Sequence, residues 1–177
     1  EDHTPAELMK RMQEWSFNEE YVLPILEMSQ SRCETLTEFE PLVGFLFRGM
    51  VEPSEEDLLS GKLDKKECIE AMQIALWRLE AHRDWESKPI MDLMRETSEI
   101  LDIKFRDFLK PFFVAMSGST SSTPLFDTMA ILGPDMSRAR IRYAIDVLGG
   151  LGKKKTRKLE KKYAKLVDAD ENEEDDD

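Results

Sequence analysis

The sequence predicts an all-α protein, and three observations carry that expectation. Apolar residues recur at three- and four-residue intervals along most of the chain, as in Ile69, Met72, Leu76 and Leu79, the spacing of one buried helix face. Several of these runs are preceded by a hydroxyl or carboxylate residue with Glu three positions later, a pairing that satisfies the N–H groups a helix leaves open at its start. No segment sustains the apolar–polar alternation of a half-buried strand.

The elements follow in chain order. Thr4-Pro5 reads as N-cap and first helical residue before "AELMKRMQEW", with Leu8, Met12 and Trp15 on one face. Ser16 and Glu19 have capping-box spacing ahead of "YVLPILEM", where Pro24 kinks the helix or marks its early turns. Thr35 and Glu38 stand ahead of "FEPLVGFLF", and Ser54 opens a short turn, "EEDLL", ended by Ser60-Gly61. Asp64 and Glu67 cap the clearest helix, "KKECIEAMQIALWRLEAHR". Ser87 and Pro89 begin a helix through Leu101, and "KFRDFLKPFFVAM" follows at once. Thr123-Pro124 starts "LFDTMAIL", which Gly133 ends as a C-cap, and "DMSRARIRYAIDVL" closes the globular part. "GGLG" at 149–152 is a joint before a basic helix and an acidic tail expected to be disordered. The expected division is a helical subdomain at 1–88, a second at 89–148, the joint and basic helix at 149–167, and the tail at 168–177.

A chain of 177 residues, 41% of them hydrophobic, can bury a real core. It begins with Glu, which reads as a processed chain or a piece of a longer protein. No stretch approaches the roughly 20 apolar residues of a membrane span, and no N-terminal signal is present, so a cytoplasmic protein with no membrane partner is expected. Cys33 and Cys68, without a CxxC pattern, read as free thiols. The net charge is -12, unevenly spread. Residues 168–177 hold eight acidic side chains, and residues 153–165 hold eight Lys or Arg against Glu160 alone. The remaining 1–152 carry 17 basic and 28 acidic residues. Any polyanion must therefore find a local basic cluster, and so acidic a surface favours a monomer.

Catalysis finds no support in the motifs. His3 and His82 lie far apart, without metal-ligand or triad spacing. Neither GxxxxGK[ST] nor GxGxxG occurs, so no catalytic residue, metal or cofactor is assigned to this chain. The block "KKKTRKLEKKYAK", with Lys153, Lys154, Lys155 and Arg157, suits either RNA phosphates or a solvated helix face. In "SRARIRY", Arg138 and Arg142 share a face four residues apart, with Arg140 offset. Their repulsion, about a few tenths of a kcal/mol, would be relieved by a phosphate or by a nearby carboxylate.

Six of the seven residues from Ser117 to Thr123 carry a hydroxyl and none is charged, in a chain that is 35% charged. Here the residues carry a family likeness. "FFVAMSGSTSSTPLFDTMAILGPD" resembles the C-terminal signature of bacterial-type glutamyl-tRNA synthetases, RxALTGxxxSPPLFExxxLLGxE followed by an Arg-rich helix. Gly118, Ser122, Pro124, Leu125, Phe126 and Gly133 fall in step with it. "SRCETLTEF" (31–39) resembles the family's RxxTLxEF, and "FLF" (45–47) stands where its aromatic helix end stands. "WESKPIMDLMRETSEILDIKFRD" (85–107) resembles its segment of Trp, helix, Arg and short turn. The likeness covers roughly residues 5–148.

The resemblance implies the anticodon-binding half of a class I synthetase: an α-helical cage of two small subdomains, without the catalytic half. No HIGH-like or KMSKS-like motif appears. It implies a glutamate–tRNA ligase that binds tRNA-Glu through this region and not DNA. The catalytic half, in cis or in trans, would supply the ATP- and magnesium-dependent glutamylation. By similarity, Arg32, Arg95, Ser122 and Leu125 occupy anticodon-contacting positions, Arg32 at the last anticodon base and Leu125 against a base face. Unpaired bases are read by hydrogen bonds to their edges and apolar contact with their faces, which small hydroxyls and the first N–H groups of the following helix can supply. Arg138, Arg142, Lys153, Lys154, Lys155 and Arg157 are candidate contacts to the tRNA backbone. The plain structural alternatives are an ST-rich capping turn for the loop and intradomain salt bridges for Arg32 and Arg95.

Two departures from the family pattern stand out. Phe113 occupies the position where the family usually has Arg, which removes a planar bidentate donor. Residues 149–177 extend past the usual family end. Competing readings are a helical protein-interaction module that has lost RNA binding and the anticodon cage of a class I lysyl-tRNA synthetase.

Overall fold

The computed structural model describes residues 4–16, 18–120 and 123–174, and every regular element among them is helical. The chain divides into two compact units, Glu1–Gly49 and Met50–Asp177.

The first unit holds α1 (Pro5–Ser16), α2 (Glu19–Ser29), α3 (Leu36–Val43) and a 3-10 turn at Gly44–Leu46. Thr4 and Glu7 cap α1 reciprocally: the Thr4 N–H donates to Glu7 Oε2 at 2.9 Å, and the Glu7 N–H to Thr4 Oγ1 at 3.3 Å. The Thr4 N–H and the Thr4 hydroxyl, both donating to Glu7 Oε2 at 2.9 Å, hold the Glu7 carboxyl below its usual range. The cap of α2 is Asn18, not Ser16, because Asn18 Oδ1 accepts the Glu20 N–H at 3.1 Å. Pro24 lies inside α2 and Pro41 inside α3. A small core of Ile25, Val43, Phe45 and Leu46 is tied by the Tyr21 hydroxyl, which donates to the Leu46 carbonyl.

The second unit holds α4 (Glu55–Leu58), α5 (Lys65–Ala81), α6 (Ser87–Ile100), α7 (Phe105–Ser117), α8 (Leu125–Val147) and α9 (Lys153–Glu174). The Asp64 side chain accepts the Glu67 N–H at 2.8 Å and the Glu67 side chain accepts the Asp64 N–H at 2.9 Å, the capping box read from sequence. One core runs through this unit, from Leu58 and Met72 through Ile90, Met94, Phe108 and Phe112 to Met129, Ile141 and Leu148. A boundary at 88/89 would cut α5 away from α6, α7 and α8, against which it packs; the division falls at 49/50 instead. Gly133 interrupts α8 with φ 76° and ψ 171°, the left-handed backbone that glycine adopts without penalty, so the break expected there is present as a kink.

Helix α9 continues to Glu174 and takes in most of the segment expected to be disordered. From Lys153 onward the sequence has neither Gly nor Pro and is rich in Lys, Leu, Ala and Glu, residues of high helix propensity. No described helix is long and apolar enough to cross a membrane.

Candidate nucleic-acid interface

The hydroxyl-rich loop is pinned at both ends. Helix α7 stops at Gly118, whose φ of 77° lets its N–H return to the Val114 carbonyl at 2.8 Å. A Cβ there would stand 3.3 Å from Val51 Cβ, so both backbone and space call for glycine. The Ser117 hydroxyl donates to the Phe113 carbonyl at 2.9 Å and accepts the Ser119 N–H at 3.2 Å. At the far end Thr123 is buried, and its hydroxyl pairs with that of Thr128 at 2.6 Å. Its hydroxyl therefore holds the loop to α8 from within. Ser119 and Thr120 are exposed; Ser122, a proposed base contact, lies outside the described residues.

The start of α8 joins this loop to Arg95. The first helical bond runs from the Thr128 N–H to the Pro124 carbonyl at 3.0 Å, so the N–H groups of Leu125, Phe126 and Asp127 precede the intrahelical ladder. Leu125, expected against a base face, is only 3% exposed and belongs to the core. An apolar side chain entering the helix directly after the loop gains more from that core than from solvent. Phe126, its neighbour, stacks on Phe105 at 6.2 Å with planes 7° apart. The Arg95 guanidinium lies over the other ring at 4.3 Å from the Phe105 centroid. Arg95 is exposed, and no described carboxylate pairs with it, so the salt-bridge alternative does not describe it. Arg95 and the head of α8 are thus drawn into one region by two intervening rings. Arg32 belongs to the other unit, exposed in the turn after α2, with its N–H on the Ser29 carbonyl at 2.8 Å.

The arginines of the second half of α8 are occupied within the protein. Arg138 lies 5.0 Å over Trp85 and donates to the Leu79 carbonyl at 2.7 and 3.1 Å and the His82 carbonyl at 3.2 Å. It thereby closes the C-terminal end of α5. Arg142 pairs with Glu80 at 2.5 Å, the carboxylate outcome rather than the phosphate one. Arg140 is fully buried and donates to the Met116 carbonyl at the end of α7. Arg140 is offset from the face of Arg138 and Arg142, but its register carries a signal of burial. It shares the 3–4 spacing of Ser137, Ile141, Ala144 and Leu148, all buried. The Phe105–Phe126 stack had no such local signal.

Lys153, Lys154, Lys155 and Arg157 are exposed on the first turns of α9. That helix is held by buried Leu159 and by Lys162, 3.1 Å from Glu70. Phe113, where Arg was expected, packs partly buried against the core. Among the described residues no cluster of His, Cys, Asp and Glu could hold a metal ion. Cys68 is buried, and desolvation pushes its thiol up to about 12, away from nucleophilic use.

In the second unit, then, the exposed Arg95 is linked through Phe105 and Phe126 to the helix that follows the hydroxyl-rich loop. Residues 7–145 match the family model of the anticodon binding domain, and the chain belongs to that family. It is 45% identical to the glutamate–tRNA ligase of Cellvibrio japonicus over 97% of its own length and 34% of the relative's. With the glutamate–tRNA ligase of a Marinomonas species it shares 44% identity over 94% of this chain and 34% of that one. The chain therefore spans about a third of the length of these relatives. An alignment over 97% of the chain also takes in much of α9, which the family model leaves out. In fold, the chain resembles the crystal structure of a glutamate tRNA ligase from Elizabethkingia meningosepticum, with TM-score 0.65 and 17% identity over 73% of this chain and 25% of the other.

Proposed function

We propose that this chain is the anticodon-recognition part of a glutamate–tRNA ligase, binding tRNA-Glu for a catalytic part that lies outside residues 1–177. The observation that carries the reading is the family match across residues 7–145, most of both compact units. The ligase names of the relatives supply the amino acid. ATP and magnesium would serve the catalytic part, acting in cis or in trans, in the cytoplasm.

In this reading Arg95, the loop hydroxyls and the first N–H groups of α8 offer donors to anticodon bases from the second unit, and Arg32 offers a planar donor from the first. Ser122 would act there as a small donor and acceptor. Leu125 serves from beneath, fixing the head of the helix through the core. The exposed Lys153, Lys154, Lys155 and Arg157 add attraction to phosphates, and the acidic end of the chain opposes it.

The test is titration of the chain with tRNA-Glu and with the same tRNA bearing an altered anticodon, at two salt concentrations. Binding should weaken with the altered anticodon and with salt. Arg32→Ala should cost about 1–3 kcal/mol if its base contact is bidentate. Indifference to both anticodon and Arg32 would replace this reading with non-specific phosphate attraction or a protein-interaction role.

A further inference from the structure

An exposed arginine ordinarily samples many rotamers, and ordering it on a ligand costs affinity. Arg95 departs from that expectation. Its guanidinium lies 4.3 Å from the Phe105 ring centroid, close enough for cation–π attraction to hold its plane. Phe105 is itself partly buried against the core and lies parallel to Phe126, 6.2 Å away. Phe126 is the second residue of α8, beside the buried Leu125. A rigid chain of contacts thus runs from the core through two parallel rings to a guanidinium with no described carboxylate partner. The guanidinium carbon lies over the Phe105 ring, and Arg95 remains exposed.

We propose that Phe105 is a positioning residue for RNA recognition: it holds the Arg95 guanidinium over its ring, ready for an unpaired base. The inference rests on the anticodon reading above. It assigns no RNA contact to Phe105 itself. Leu at 105 keeps an apolar side chain against the core but removes the π face, whereas Tyr keeps the face.

The experiment uses the full chain and a fluorescently labelled anticodon stem-loop of tRNA-Glu, followed by anisotropy. Phe105→Leu should weaken binding about threefold to tenfold, the scale of a lost cation–π contact and its preorganisation, while Phe105→Tyr restores it. In an Arg95→Ala background, Phe105→Leu should have no further effect. NMR of the unbound protein supplies a readout that packing alone would not move: the Arg95 Nε–H resonance should carry a ring-current shift that Phe105→Leu abolishes and Phe105→Tyr retains. The proposal is overturned if the two substitutions act additively, if Phe105→Leu leaves affinity unchanged, or if the ring-current shift is absent. An Arg95→Ala variant that binds normally overturns it as well. In that case the anticodon swap still decides the wider reading independently.

Discussion

The two halves of α8, on either side of the Gly133 kink, treat arginine in opposite ways. Beyond the kink, Arg138, Arg140 and Arg142 each meet a protein acceptor: the end of α5, the end of α7 and Glu80. Before it, the head of the helix carries no arginine, but it receives Arg95 from α6 across two stacked rings. The arginines beyond the kink are engaged within the protein, whereas Arg95 keeps an exposed guanidinium with no described carboxylate partner. What separates them is unsatisfied donor capacity rather than charge, since an Arg whose N–H groups already bond carbonyls has little left for a phosphate.

That contrast can be broken most forcefully at Arg140. Arg140→Met removes the buried donor to the Met116 carbonyl and should destabilise the second unit by about 3–5 kcal/mol in chemical denaturation. A loss below about 1 kcal/mol would mean that the guanidinium is not holding α7 and α8 together. Arg138→Ala comes next. It gives up the Trp85 contact and three bonds to the Leu79 and His82 carbonyls, for an expected loss of about 1–3 kcal/mol, with little change in RNA affinity beyond that due to unfolding. A large affinity loss at unchanged stability would return Arg138 to the interface.

Smaller effects sharpen the comparison. Arg142→Gln and Arg95→Ala should each change stability by no more than about 0.5–1 kcal/mol, because one forms an exposed ion pair and the other an exposed cation–π contact. Only the second should weaken anticodon stem-loop binding. The smallest expected effect at neutral pH is at Cys68. Its thiol is raised from 9.0 to about 12 by burial, so the folded state disfavours the thiolate relative to the unfolded chain. Stability from this group is complete below pH 9 and declines as pH rises toward 12. A thiol reagent at pH 8 should label partly exposed Cys33 readily and Cys68 only at the rate of unfolding; mass spectrometry after timed quenching distinguishes the two.

Local rules carried the helices a long way. The Asp64–Glu67 box and the Gly133 break stand where the letters put them, because each depends on residues within a turn or two. The Ser16 cap failed against Asn18, one short polar side chain competing with another two positions away. The candidate site was less legible. Arg95 and Leu125 were both chosen by family likeness; Arg95 is exposed, whereas Leu125 is a core residue in the structure.

By itself the sequence determined an all-helical chain with an uncharged, hydroxyl-rich loop, and it carried the family likeness that the comparisons bear out. Periodicity, capping and turn chemistry act over a few residues, so they can be read along a line. Which arginine keeps its donors available was decided only by tertiary structure. That outcome depends on acceptors 59 residues away for Arg138 and 24 for Arg140, and on two phenylalanines, Phe105 and Phe126, that meet only once α7 and α8 have packed.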